Sequence, residues 1–466
     1  MSKKSKTIVI TLGVLALLGG AYYGVTVHNR NRADAFFEAQ PPVSTLGNLN
    51  HLDIVRIETP ELTLEKQGGI WELVSVNGEA PPAEFALDQS IIQGMTFILA
   101  TVWAERVIDE QPEDLSVYGL DMPSFRTTVT DIHGNTAAYL VGDITPFRTS
   151  YFVMAEGNPN VFVVNAFSVD RLRFTLDDIR DRTLFPSLPF HALTGLRIQS
   201  PQTLIEIIRV PQPRPPHLLS TFSHFMITSP FSFPRGVDNQ AFQTLLTPLN
   251  GLRVEEFVDD FPSSLAPFGL DAPVNLLLEF GDTAINLLIG NPSGDARYAK
   301  FVNAPGVFTV SGLEAFVNTA PFTLIDRFPL LIGVNEITRL SITGGEQLLA
   351  ADVQGEERDM VFHLNGRRAE ETSFRNWFQS VIGLRIDAEI PAEIPAGSLS
   401  PGTAEIGTIT IEHHLKNLPG QRVSISLVPF NRDFYALSQE GTMEFLIARG
   451  QVQRMFQTAN TVAYEE

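Results

Sequence analysis

The sequence predicts an α+β protein in which one transmembrane helix precedes three tandem repeated modules, each an antiparallel sheet with one or two packed helices. Three observations carry this expectation. Residues 7–27 are uncharged, one motif returns after a shift of 150 positions, and each repeat alternates strand-like runs around a capped amphipathic helix.

The N-terminus comes first. Lys3, Lys4 and Lys6 precede the stretch Thr7 to Val27, and His28, Arg30 and Arg32 follow it. At about 1.5 Å per residue such a helix spans roughly 31 Å, enough for a bilayer core. Tyr22 and Tyr23 stand near its far end, where interfacial aromatic rings belong. A cleaved signal peptide is the rival reading, but the apolar run is too long for one and no small-x-small site follows Ala21. The sequence therefore divides into a cytoplasmic terminus (1–6), an anchor (7–27), a linker (28–50) and modules at 51–190, 191–332 and 333–462. Flanking charge favours a cytoplasmic N-terminus only slightly, which leaves the modules extracytoplasmic on a single-pass inner-membrane protein.

Composition sets the bounds. Asp and Glu number 53 against 33 Lys and Arg, giving a net charge of −20 that repels nucleic acid. There is no cysteine, so disulfides, thiolate metal sites, a cysteine nucleophile and N-terminal cysteine lipidation are all excluded. The 31 prolines and 34 glycines suit many short strands and turns.

The repeat is the most informative feature. Tyr118-Gly119-Leu120-Asp121-x-Pro123 returns as Phe268-Gly269-Leu270-Asp271-x-Pro273. Asp88 maps onto Asp238, Leu99 onto Leu249, Asp109 onto Asp259, Gly142 onto Gly290, Tyr151 onto Tyr298 and Phe162 onto Phe308. The opening Arg56-Ile57-x-x-Pro60 matches Arg197-Ile198-x-x-Pro201, and the units close on Asp181-Arg182 and Asp326-Arg327. A worn third copy opens at Arg339-Leu340, repeats Gly251-Leu252-Arg253 as Gly383-Leu384-Arg385, and matches its close to Val452–Phe456. In that copy a Pro/Gly/Ser-rich stretch, 396–403, replaces the Gly-Leu-Asp-x-Pro motif.

Within a module the elements follow from pattern. Residues 54–59 and 62–64 read as a hairpin and 70–74 as a further strand. Asp88 is placed as an N-cap, with Ile91, Ile92, Met95, Ile98 and Leu99 at helical spacing behind it. Gly119 suits a left-handed residue ending a short helical turn, and Pro123 stops the helix. Strands are expected at 126–132, 136–141, 151–154 and 161–164, then one helix over 168–178. Asp121 and Asp271 are expected to accept local backbone N–H groups, and the Asp-Arg close to form an ion pair that fixes the last helix.

The order of helix, Tyr/Phe-Gly-Leu-Asp-x-Pro, strands with a central Val-Gly or Ile-Gly, and closing Asp-Arg resembles the bacterial domain-of-unknown-function family 4340. The resemblance covers about 51–330 well and 333–462 poorly. It implies a single-span envelope protein that accompanies ABC-transporter subunits of the gliding-motility type, and it brings no catalytic residues.

Little chemistry competes with that expectation. Glu412 and His414 share a strand face, but His413 points away and no third ligand has recognisable spacing, so no metal is assigned. Nucleophile-elbow, zinc-protease and phosphate-loop motifs are absent. The sequence thus assigns no catalytic, cofactor or metal residue, and its expected role is an extracytoplasmic scaffold or accessory subunit working through protein–protein contact. A polysaccharide-binding module is the second reading and an unrecognised hydrolase the third. Exposed aromatics beside carboxylates favour the glycan reading, and a broad apolar patch favours a protein partner.

Overall fold

Strand β1 (Ser44–Thr45) opens the part of the chain that the computed structural model describes, residues 44–465 without 82–84, 186, 216–217, 220, 357–358 and 392–406. Residues 7–27, the expected anchor, lie outside it, as does the proline-rich stretch 396–403. Among the described residues no helix is long and apolar enough to cross a membrane. The protein is mostly antiparallel sheet with a few helices, and it divides into two compact units, 1–182 and 183–466.

In the first unit β2 (Ile54–Glu58), β3 (Leu62–Gln67) and β4 (Ile70–Val76) form a meander. Its first turn is held by the Thr59 hydroxyl, which accepts from Leu62 N–H at 2.9 Å while Pro60 fixes the bend. Helix α1 (Gln89–Ala100) follows, with the Asp88 carboxylate accepting from Ser90 and Ile91 N–H as the sequence predicts. Ile92, Met95, Thr96 and Leu99 form its buried stripe.

Two short strands, β5 (Trp103–Ala104) and β6 (Arg106–Asp109), were not legible in the pattern. β5 pairs with β1, and β6 crosses to the far edge of the sheet. Then come β7 (Phe125–Asp131), β8 (Thr136–Ile144), β9 (Ser150–Ala155) and β10 (Val161–Asn165). The expected single closing helix is two, α2 (Ala166–Leu172) and α3 (Leu176–Ile179), because Thr175 and Asp178 build a second capping box after the break. Strand order is β4-β3-β2-β7-β8-β9-β10-β6, and the apolar core packs Ile54, Ile57, Leu64, Tyr139 and Val141 against Met95, Leu99, Val169 and Leu172.

The second unit holds two further sheets. One comprises β11 (Gly195–Gln199), β12 (Leu204–Arg209), β13 (Phe225–Ser229), β14 (Arg235–Gly236), β15 (Val254–Asp259), β16 (Val274–Phe280), β17 (Thr283–Ser293), β18 (Ala296–Phe301) and β19 (Val307–Ser311), with α4 (Asn239–Leu246), α5 (Glu314–Asn318) and α6 (Pro321–Leu324). The other comprises β20 (Ile337–Gly344), β21 (Gln347–Gln354), β22 (Val361–Leu364), β23 (Arg367–Ala369), β24 (Ala388–Glu389), β25 (Ile409–Leu415), β26 (Arg422–Pro429), β27 (Phe434–Gln439) and β28 (Thr442–Ala448), with α7 (Glu371–Ile382) and α8 (Arg449–Ala459).

Their orders, β14-β13-β12-β11-β16-β17-β18-β19-β15 and β23-β22-β21-β20-β25-β26-β27-β28-β24, repeat that of the first sheet with one strand added at the hairpin edge. The opening arginines make the same cross-strand ion pair three times: Arg56 with Glu65, Arg197 with Glu206 at 2.5 Å, and Arg339 with Asp352 at 3.6 Å. One continuous apolar cluster runs through both sheets of the second unit, from Leu184 to Val462.

The ladders correct the repeat alignment in three places. Phe162 faces Val153 and Phe308 faces Ala299, so the counterpart of Tyr298 is Phe152, not Tyr151. The third copy does not close at 452–456, which lies inside α8. Asp181 N–H donates to Ala86 and Asp326 N–H to Gly236, and the matching bond runs from Glu465 N–H to Arg368. Glu465 is thus the third acidic close, and Glu370 is the third N-cap, accepting from Thr372 and Ser373. Finally, the lead-ins reach further upstream than 51 and 191. Leu46 N–H donates to Val102 and Leu184 N–H to Leu252, each binding the segment after its module's first helix.

Candidate functional site

The signature motif is a turn clamped onto the sheet. Gly119 and Gly269 end short 3₁₀ turns at φ +65° and +66°, the left-handed region where a side chain is strained. Leu120 and Leu270, both 3% exposed, plug the core beneath. The central glycines of β8 and β17 explain themselves here. A Cβ on Gly142 would stand 2.1 Å from the Tyr118 carbonyl oxygen, and one on Gly290 would stand 2.2 Å from that of Phe268. The two glycines of each module therefore form one joint. Its aromatic residue packs edge-on to its neighbour strand, Tyr118 on Phe152 and Phe268 on Tyr298.

Asp121 and Asp271 do not cap the turn. Both are exposed, and neither carboxylate accepts a hydrogen bond among the described residues. In the first module that task falls to Asp114, which accepts from Ser116 N–H at 2.9 Å. Pro123 and Pro273 stand just ahead of β7 and β16, where they stop the turn.

In the second module the closing motif differs from expectation. Asp326 makes no ion pair with Arg327. Its carboxylate accepts from Phe328 N–H at 3.0 Å and from the Ser223 hydroxyl at 3.4 Å, and Arg327 instead lies 4.5 Å from the Phe322 ring centre. Burial, with the nearby charge of Asp238, pushes the Asp326 carboxyl above its ordinary range. In the first module Arg182 donates to the Asp177 carbonyl at 3.2 Å, tying the close to α3.

Beside Asp326 lies a charged joint that the sequence did not announce. Arg235, 5% exposed, donates to Gln439 Oε1 at 2.5 Å and sits 4.3 Å from the Phe445 ring centre. Burial pulls its pKa down to about 10 while Glu444 opposes that shift. A cavity of about 20 Å³ between Arg235, Asp326, Gln439 and Thr221 has the room of one water molecule. This joint fastens the second sheet to the third.

Exposed apolar side chains are distributed unevenly. Among the described residues eighteen large ones stand exposed, and twelve of them lie in the first unit, the smaller of the two. Several surround the first signature turn: Val117, Met122 at 83%, Ile144 and Phe147 at 87%. Backbone contacts join these segments, since Gly119 abuts Asp143 and the turn after Ile144 is closed by Thr145 and Ser150. The matching positions in the second module are Pro267, Ala272 and Pro292, and its turn between β17 and β18 has two residues against five between β8 and β9, with no counterpart to Phe147.

A second surface feature lies at the edge of the first sheet. A groove of about 710 Å³ runs along β4, lined by Ile70, Trp71, Glu72 and Leu73 on one side and Pro81, Phe85, Leu87 and Gln89 on the other.

His414 and Glu412 do share a face, at 2.8 Å, with Arg422 at 3.4 Å from the same carboxylate. His413 is fully buried on the other face beside Phe378, with neither ring nitrogen hydrogen-bonded among the described residues. Among those residues no three His, Cys, Asp or Glu side chains are grouped to hold a metal ion.

No curated protein and no solved structure matches the chain. One family model does, twice, over residues 80–273 and 226–397, and the overlap of the two matches holds α4 and the second signature turn. These matches cover most of the sequence, and the chain belongs to the family described as Domain of unknown function (DUF4340).

Proposed function

We propose that the protein is a membrane-anchored, extracytoplasmic scaffold or accessory subunit of an envelope complex of the ABC-transporter kind, acting through protein–protein contact. The anchor is the uncharged stretch 7–27, and the first module is the one nearest to it in sequence. The observation that carries the reading is the concentration of exposed apolar side chains on the first unit, above all Met122 and Phe147 beside the signature turn. Monomeric soluble surfaces seldom keep such clusters without a partner to cover them.

The test is co-purification of the full-length chain from detergent-solubilised membranes, with Met122→Asp and Phe147→Asp compared against the parent. Loss of a stoichiometric partner from the variants, with unchanged circular dichroism, is the expected result. An identical set of companions in all samples overturns it. Fractionation checks the anchor, since a soluble mature form beginning near residue 22 would mean a cleaved signal peptide.

A polysaccharide-binding module is the second reading, favoured by Trp71 and Phe85 beside Glu72 in the β4 groove. It ranks lower because Trp71 is only 3% exposed and offers no open ring face for a sugar to stack on. The hydrolase reading ranks last, since the His414–Glu412 ion pair stands on a strand face beside Arg422.

A further inference from the structure

The three sheets differ at one edge. In the second and third, the residues just before the helix N-cap form an outermost strand: β14 pairs with β13 through Ile227 and Arg235, and β23 pairs with β22 through Phe362 and Ala369. In the first sheet the corresponding residues, Phe85 to Leu87, do not pair with β4, which remains the edge strand. The groove of about 710 Å³ lies between them. A side chain stands in for part of the absent strand. Gln89 donates to the Trp71 carbonyl at 3.0 Å and accepts from the Trp71 N–H at 2.8 Å. Beyond Trp71, the edge is next engaged at Val76, which exchanges two bonds with Glu79. Outward backbone groups alternate along an antiparallel strand, so Leu73 presents the next outward N–H and C=O, and no described residue bonds to them.

We propose that the slot along β4 receives an extended segment of a partner protein as an added strand, with a basic residue facing Glu72. The sister modules show the fit, because each fills this position with its own extended backbone, and both fillers carry arginine: Arg235, and Arg367 with Arg368. The guest's main chain bonds to Leu73, and its alternate side chains enter the groove against Leu73, Phe85 and Leu87. Glu72 and Glu79 are exposed at the rim and favour a cation on the guest. They also disfavour pairing with β4 of a second copy, which sets like charges face to face. This inference rests on the scaffold reading above and names the chemistry of one partner.

The experiment uses the full-length chain in detergent and a displayed library of random twelve-residue peptides. The expected selection is of peptides that alternate apolar residues around Lys or Arg. As synthetic peptides these bind with micromolar constants and slow hydrogen exchange at residues 70–76. Glu72→Lys, an exposed change that leaves the fold intact, weakens binding at least tenfold. Leu73→Pro, which removes the outward donor from an edge strand, abolishes it. Met122→Asp leaves it unchanged. No selected peptide, or equal binding to the parent and to Glu72→Lys, overturns the proposal. Persistence of the co-purified partner in that case shows that the scaffold reading survives without it. Displacement of the peptides by soluble cell-wall glycan fragments, or a dimer in sedimentation that Leu73→Pro dissociates, also overturns it, in favour of a sugar or of a second copy.

Discussion

The first and second modules have the same strand order, the same opening ion pair and the same glycine joint, yet they present opposite surfaces. The second closes its sheet edge with β14, surrounds its signature turn with Pro267, Ala272 and Pro292, and shares a core and a buried arginine with the third. The first keeps a core of its own, leaves β4 at the edge, and exposes Met122 and Phe147. Duplication thus preserved what makes the module fold and varied what the module faces. One copy became a member of a fused pair, and the other kept large apolar side chains exposed on its surface.

The largest expected effect tests whether the two joints are one device in two independent cores. Gly142→Val and Gly290→Val each force a side chain into a backbone carbonyl that has nowhere to move. Each should cost at least about 3 kcal/mol, the upper end of overpacking. Gly119→Val and Gly269→Val, which strain φ and press on the Asp143 or Asn291 side chain, should cost less, about 2 kcal/mol. In scanning calorimetry the first-module changes should lower one transition and the second-module changes another. A single transition moved equally by both would break the comparison.

Next in size is the fused pair itself. Arg235→Ala removes the bond to Gln439, the packing on Phe445 and the cation beside Glu444. About 2–3 kcal/mol should be lost from the second unit alone, measured by urea unfolding, because a half-buried carboxylate is left without its partner charge. Arg235→Met keeps the volume and should cost clearly less. Equal losses in the two variants would show that volume plays no part.

How much of this was readable in advance depended on whether one side chain's local role dictated the feature. Asp88 as N-cap, the positive φ of Gly119 and Gly269, and the strands β7 to β10 follow from neighbours in sequence, and the structure has them. The third module's close is hidden in the sequence because Glu465 replaces the aspartate and only a long-range bond to Arg368 identifies it. Short strands such as β6 and β14 carry no pattern of their own, since partners far along the chain hold them. The surfaces were less legible still. Met122 and Phe147 read as ordinary apolar residues until their exposure is known, and the β4 groove exists only by comparison with two filled copies.

His413 separates the third module from the others by pH. Burial, with His414 nearby, lowers its pKa from the ordinary 6.5 to about 4. Its neutral form therefore belongs to the folded state, and the stability it allows is full above pH 6.5 and lost as pH falls toward 4. Between pH 7.5 and 5 the loss should be about 2 kcal/mol, seen as a lower urea midpoint for the second unit. His413→Phe, stacked on Phe378, should remove that slope. A slope of the same size in the variant would assign it to other groups, though not to Asp326. A carboxyl raised by burial acts in the opposite sense, its contribution being full at low pH and lost as pH rises through its folded value.

The smallest effect bears most directly on the open edge. Gln89 and Asn239 follow their N-caps at equivalent positions, and each uses its side-chain amide to hold a neighbouring backbone. Gln89 holds both groups of Trp71, and Asn239 accepts from His224 N–H and donates to the Phe222 carbonyl, both at 3.3 Å. In the second module β14 also secures that hairpin, whereas in the first the amide is the main restraint on β4 near Trp71. Gln89→Ala should therefore cost about 1 kcal/mol, the usual net value of such bonds, and Asn239→Ala half of that, at about 0.5 kcal/mol. Hydrogen exchange reads the difference locally: residues 70–76 should lose protection in Gln89→Ala, and residues 225–229 should keep theirs in Asn239→Ala. Equal loss in both would mean that β14 adds nothing to its edge, and the contrast between a closed and an open sheet would fail at the place where it was drawn.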